Sequence, residues 1–259
     1  MLKEFFTAAL GMVNQQTRLE VISNNIANAS TNGYKRADVF TRNLIDARAN
    51  FYNVPGEVEQ NDPPVGSYYD FSKGSFQQTG NPLDLAVDGN GFFLLEDSEG
   101  KQFLSRNGEF RLSEDGTIIR NDSKVLMGDE GPIRVSNTYL SNSGLTKDGQ
   151  SPNLRIADTG EVYLNNVQVG KISLYQPQNL QDLQRISDGE FILTANGQAN
   201  QIASDAVKIK QGWLENSNVN VVSEMVQMIE LQRNFEAGSK VIQTNDQTLD
   251  QSINLGRYY

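Results

Sequence analysis

Neither cysteine nor histidine occurs anywhere in this 259-residue sequence. Without thiol or imidazole there is no cysteine nucleophile, no Ser-His-Asp triad and no zinc site built on Cys or His. No disulfide can form, whichever compartment holds the protein. Carboxylate chemistry survives the exclusion, as acid–base pairs or all-oxygen cation sites. Positive charge is also scarce: 22 Lys and Arg face 32 Asp and Glu, for a net charge of -10. The basic residues are scattered, which disfavours nucleic acid or an anionic membrane as a partner. No run approaches the roughly 18 apolar residues of a membrane span. Glu4 and Asn14 interrupt the apolar residues at the start, so no secretory signal is expected there.

What is present is a heptad at each end. Phe5, Met12, Leu19 and Ile26 recur every seven residues, and so do Val221, Met228, Phe235, Ile242 and Leu249. A second row is mixed: Leu2, Ala9, Gln16 and Ser23 at one end, Met225, Gln232, Ser239, Asp246 and Ile253 at the other. Such 3-4 spacing makes a narrow apolar stripe that suits another helix better than a globular core. The polar members Gln16, Ser23, Gln232 and Ser239 would cost stability and specify register, or would lie on a partly wet face.

The first helix is predicted over about residues 3–29, roughly 40 Å long at 1.5 Å per residue. It should stop at Asn28-Ala29-Ser30-Thr31-Asn32-Gly33, where polar turn formers lead to a Gly that can take positive φ. The last helix should begin near Ser217-Asn218-Val219-Asn220, capped by Asn218 or Asn220, with Glu224 in its positive first turn. It runs without Pro to about residue 255. Residues 34–75 read as a connector with an extended or hairpin-like part, broken at Pro55-Gly56 and at Asp62-Pro63-Pro64.

Between Gly74 and Lys210 short apolar runs alternate with turn dipeptides such as Asp88-Gly89, Asn90-Gly91, Glu99-Gly100, Asn107-Gly108 and Asp115-Gly116. These supply the positive φ of tight hairpins and predict an antiparallel meander. Candidate strands cover 83–87, 92–95, 102–105, 109–112, 117–120, 154–157, 161–164, 168–175, 190–194 and 206–209. A faint repeat relates residues 107–116 to 188–197, with Phe110 and Phe191 at equivalent places; reuse of turn chemistry explains it. The expected class is α+β: long N- and C-terminal helices forming a coiled-coil-like pair, with a central antiparallel mainly-β domain. The expected division is 1–33, 34–75, 76–211 and 212–259.

No acidic turn fits a calcium loop ending in Glu. Asp88-Gly89-Asn90-Gly91 holds a G-x-G without a third Gly or a Rossmann unit around it. Asn28-Ala29-Ser30 matches a glycosylation sequon but falls at a helix end. A carboxylate pair for glycoside hydrolysis is easily imagined among 32 acids and is therefore uninformative. No catalytic residue, cofactor or metal is assigned. The competing class is a carbohydrate-active enzyme, or a soluble β-domain binding module with a coiled-coil dimeriser.

The block Ile22-Ser23-Asn24-Asn25-Ile26-Ala27-Asn28, continued by Thr31, Gly33, Tyr34, Lys35 and Arg36, resembles the N-terminal signature of the bacterial flagellar rod and hook family. Ser217-Asn218-Val219-Asn220, with Glu224, Met225, Val226, Gln232 and Arg233, is similar to its C-terminal signature. Gly80-Asn81-Pro82-Leu83-Asp84-Leu85, running on to Phe93, resembles the start of its central β-domain. The chain is too short for a hook protein. The short connector and Gly131-Pro132-Ile133-Arg134-Val135 look like the proximal-rod type, with the distal-rod type close behind.

The resemblance implies a non-enzymatic subunit exported unfolded without a cleaved signal and stacked into the periplasm-spanning shaft that carries torque from motor to hook. Implied partners are copies of itself, other rod proteins and the export apparatus, with hook protein and surrounding ring proteins as further candidates. No nucleic acid and no membrane insertion are expected. Helices with such narrow stripes would order when neighbours cover them. The expected assembly interface is Phe5, Met12, Gln16, Leu19, Ile26, Val221, Met228, Gln232, Phe235, Ile242 and Leu249. Asn24, Asn25, Asn28, Thr31 and Gly33 would shape the helix end and its turn.

Overall fold

The computed structural model describes residues 2–41, 65–135, 154–187, 189–194, 197–203 and 207–256. The breakers around Pro55 and Pro63 lie outside them. The chain divides into two units: 1–29 with 36–71 and 219–259, and 30–35 with 72–218.

The first unit holds two helices, α1 (Leu2–Ala27) and α2 (Val221–Gly256). It also holds an antiparallel pair, β1 (Ala37–Thr41) with β2 (Val65–Tyr69), in register from Ala37 opposite Tyr69 to Thr41 opposite Val65. Alternation decides the faces of β1: Ala37 and Val39 are buried, and Asp38 between them is half-exposed and accepts from the Tyr68 hydroxyl at 3.4 Å. Helix α1 stops where its last turn tightens. Asn28 N–H and Asn28 Nδ2 both donate to Asn24 O, at 3.1 and 2.9 Å, and Ala29 N–H reaches Ile26 O, one residue short of the helical step. The sequon asparagine is thus engaged in ending the helix. Asn220 caps α2, its Oδ1 accepting from Ser223 N at 3.1 Å.

The expected coiled-coil-like pair is not what the helices form. Val221 and Phe235 stay 36% and 39% exposed, and Gln16, Ser23, Met225 and Gln232 lie at the surface. The helices lie against each other, with Asn25 against Glu224 and Met12 beside Gly238, its Cγ 4.0 Å from where a Cβ would stand, but not through a heptad seam. The physical reason lies in the second row. Each row continues three residues on, not four, through Gln15 and Ile22 in α1 and through Glu224, Leu231 and Gly238 in α2. A Gln, a Glu and a Gly cannot supply the apolar knobs of a heptad seam. Among the described residues, Asn14 Oδ1 and Gln15 Oε1 are buried atoms with no hydrogen-bond partner.

The second unit is antiparallel throughout its described strands. Its short elements include β3 (Phe76–Gln78), β4 (Leu85–Asp88), β5 (Phe92–Glu96) and β6 (Gln102–Ser105). The largest sheet has ten strands. Its main path runs Leu183–Ser187, Glu190–Leu193, β6, β5, Val125–Gly128, Ile118–Arg120, Phe110–Leu112. Leu154–Ile156, Glu161–Leu164 and Val167–Lys171 make a three-stranded sheet. Lys208–Gln211 pairs with β4, and Trp213–Glu215 with β3. The expected strand over 168–175 is two strands, ending at Lys171 and resuming at Leu174. Strands β4 and β5 are buried on both faces, and so read as apolar runs. The core gathers Leu85, Val87, Phe93, Leu95, Phe103, Phe110, Ile118 and Leu126, with Phe93 and Phe110 edge to face at 5.3 Å.

Candidate assembly site: the helix-end motif and the helix faces

The motif from Asn24 to Arg36 serves both units. In the first, Asn25 is fully buried. Its Nδ2 donates to Ala37 O at 2.8 Å and to Glu224 Oε2 at 3.2 Å, and its Oδ1 accepts from Ala37 N at 3.0 Å. One side chain thereby holds both backbone groups of the first β1 residue and the first turn of α2. Glu224 is 1% exposed, and its Oε1 accepts from Arg36 Nε at 2.6 Å. A carboxylate in the first turn also faces the positive end of the helix dipole. Burial acts to lower the Arg36 pKa, but the hydrogen bond and charge of Glu224 outweigh it and raise the guanidinium above its ordinary value. Asn24 is exposed, and Asn28 is half-buried.

In the second unit Thr31 O accepts from Tyr34 N at 3.3 Å, and Gly33 N–H donates to Glu215 O at 2.7 Å. Gly33 has φ +70, and a Cβ there would lie 2.3 Å from Asn107 N. Both the turn and the close approach require glycine. The buried Tyr34 ring lies under Arg185, whose Cζ is 4.3 Å from its centroid, and the Tyr34 hydroxyl accepts from Arg185 Nη1 at 2.9 Å. Arg185 Nη2 donates to Lys35 O.

Lys35 is fully buried, with Nζ 2.6 Å from Glu215 Oε1 and 2.8 Å from Ser72 O. Arg106 Nη1 stands 3.4 Å from Glu215 Oε2, and Arg106 Nη2 donates to Gly89 O at 2.7 Å. Burial lowers the Arg106 pKa, and Glu215 opposes that. Two buried cations therefore share one buried carboxylate, and the carbonyls of Ser72, Val87 and Gly89 take further donors, while Arg106 Nε is left without a partner among the described residues.

The helix rows are less closed. Met12, Leu19, Ile26, Met228 and Ile242 are half-buried; Gln16, Val221, Gln232 and Phe235 are exposed. The side chains of Phe5 and Leu249 lie outside the described residues. Sequence reasoning did not nominate Lys35, Arg36, Arg106, Glu215 or Glu224, although Lys35, Arg36 and Glu224 stand inside the signature blocks. It also passed over an outward row on α2. Val222 (72% exposed), Met225, Val226 and Ile229 follow i, i+3, i+4, i+7.

Among the described residues no group of three or more acidic side chains could hold a metal, and no helix is long and apolar enough to cross a membrane. A partly open pocket beside Asp129, Ser173 and Gln201 has about 10 Å³, no more than one water needs, and two open grooves of about 530 and 540 Å³ flank Pro132 and Arg134. Buried polar clamps and an outward apolar row define a structural protein whose surfaces are made to meet others.

Three family profiles match the chain: Flagella basal body rod protein over residues 6–35, Flagellar hook protein FlgE/F/G D1 domain over 86–164, and Flagellar basal body rod FlgEFG protein C-terminal over 210–255. The flagellar basal-body rod protein FlgG of Bacillus subtilis is 31% identical, with 99% of this chain and 100% of the relative covered. FlgG of Agrobacterium fabrum is 32% identical over 93% of this chain and 94% of the relative. FlgF of Buchnera aphidicola from Schizaphis graminum is 29% identical over 95% and 94%. The chain belongs to the flagellar basal-body rod protein family, a structural and not an enzymatic one. These identities do not separate the FlgF type, which the sequence favoured, from the FlgG type.

Proposed function

We propose that this chain stacks with copies of itself and with other axial proteins of the flagellum into the periplasm-spanning rod that carries torque from motor to hook. The outward row Val222, Met225, Val226 and Ile229 is the observation that supports it. Four adjacent apolar side chains left in water mark a surface that a partner covers. Val221 and Phe235, on the heptad side of α2, are exposed as well, and Met12, Leu19, Ile26, Met228 and Ile242 add half-buried apolar surface. Phe5, Leu249, Gln16 and Gln232 complete the interface, the two glutamines setting register. Asn24, Asn25, Asn28, Thr31 and Gly33 shape the turn that presents it. The chain reaches its place through the flagellar export apparatus.

Val226→Asp and Phe235→Asp test this reading in a motile host. The purified variants keep the wild-type denaturation midpoint of the β-domain, and the cells lose motility and rods. Motile cells with normal rods would overturn the reading. The short connector supports the FlgF type. Rescue of a strain lacking FlgF, and not of one lacking FlgG, is the expected outcome; the reverse would assign the distal rod.

A further inference from the structure

Asn32 stands directly before Gly33, in the turn that both units depend on for their connection along the chain. We propose that Asn32 is a deamidation site that folding closes. In a flexible chain the glycine nitrogen attacks the preceding asparagine side chain. The Gly33 N to Asn32 Cγ bond forms, the Cγ–Nδ2 bond breaks, and ammonia leaves with the proton from Gly33 N. Water then opens the succinimide at either carbonyl, giving aspartate or isoaspartate. No oxidant, metal or cofactor takes part. Glycine favours the attack because it has no Cβ and leaves the backbone free to reach the required angle.

The folded unit blocks each requirement. Gly33 N–H is committed to Glu215 O at 2.7 Å. The space beside Gly33 Cα is filled, with Asn107 N 2.3 Å and Arg106 C 2.4 Å from a Cβ position, so the peptide cannot swing toward Asn32 Cγ. Asn32 Nδ2 is itself within 3.5 Å of Glu109 Oε2. Asn107-Gly108 is partly held as well, since Asn107 Oδ1 accepts from Glu109 N at 3.0 Å. Asn90, before Gly91, is exposed in a bend and has no such side-chain bond among the described residues.

The damage falls where it is least tolerated. Isoaspartate adds one main-chain carbon just before Gly33. That displaces the Gly33–Glu215 bond and, two residues on, Lys35 from Glu215. Time spent unfolded is therefore written into the chain as a mark that bars refolding.

The full chain is incubated in mildly alkaline native buffer and in concentrated guanidinium, and each Asn-Gly pair is followed by peptide mapping. Asn32 conversion is at least about tenfold slower in native buffer, as expected for an amide released only by opening of the unit, while Asn90 converts in both. In guanidinium, Gly33→Ala suppresses conversion at Asn32, which identifies the Gly33 nitrogen as the attacking group. After dilution from guanidinium, chains with isoaspartate at 32 fail to recover the native Trp213 signal. Equal rates at Asn32 in the two conditions, or full refolding of the isoaspartate chains, would overturn the proposal.

Discussion

Asn25 and Glu224 lie 199 positions apart and share a buried hydrogen bond of 3.2 Å, from Asn25 Nδ2 to Glu224 Oε2. This contact ties the end of α1 to the start of α2 and, through Ala37, to β1. Asn25→Leu leaves Glu224 with one partner fewer and strips both Ala37 backbone groups. The expected loss is about 2–4 kcal/mol from the first unit, by the usual cost of unmet buried groups. Asn24→Ala, an exposed neighbour, should stay within about 0.5 kcal/mol. Guanidinium unfolding followed by helical circular dichroism compares the two.

Lys35 and Arg106 compete for Glu215, so the two sides of the cluster are unequal. Lys35→Met leaves Glu215 paired with Arg106 and with Gly74 N–H at 3.1 Å. Glu215→Gln leaves two buried cations without their carboxylate. The latter should cost about 3–5 kcal/mol, clearly more than the former. Equal shifts of the Trp213 unfolding midpoint would show that the charges are not coupled.

Two glycines should respond in opposite ways. Gly33→Ala meets backbone at 2.3 Å in a left-handed conformation and should cost at least about 2 kcal/mol. Gly238 sits inside α2 with Met12 Cγ 4.0 Å away, so Gly238→Ala should stabilise the helix by about 0.5–1 kcal/mol. Thermal melts of both variants check the signs.

Asp88 is held by Lys210 and Lys73, each at 2.9 Å, and its pKa is lowered from 3.8 to about 2. A carboxylate depressed in the folded state adds stability above its unfolded pKa. That stability fades as pH falls from about 4 through about 2. A carboxyl-detected titration should place Asp88 near the lower end of this window. Asp88→Asn should flatten the acid limb of the stability curve while leaving the neutral limb nearly parallel to wild type.

Much of the fold is legible because local chemistry decides it. The Gly-bearing turns delimit most strands, and the polar run after Ala27 ends α1 through Asn24 and Asn28. The strands at Val125–Gly128, Leu183–Ser187 and Trp213–Glu215 escaped notice. Trp213–Glu215 pairs with the distant β3. Leu183–Ser187 and Val125–Gly128 pair with near neighbours, Glu190–Leu193 across Asp188-Gly189 and Gly131–Pro132 respectively, but the first mixes polar and apolar residues and the second is short, so neither makes a clear apolar run. In the helices the heptad itself was visible, but the choice between a row three or four residues on was not. Burial puts Ile22 and Leu231 inward and leaves Gln16 and Gln232 out, a choice set by packing that no single stripe reveals. The outward row from Val222 to Ile229 was written in the sequence at helical spacing, yet only exposure distinguishes it from a core stripe.

The sequence by itself determined the chemistry excluded, the helical ends around a β-rich centre, and the signature blocks of a rod protein, because composition, turn residues and periodicity act locally. Tertiary structure alone decided which polar residues are buried together. Asn25 with Glu224, and Lys35 with Glu215 and Arg106, are brought into contact across most of the chain. A buried charge or amide is acceptable only where the fold delivers its partner.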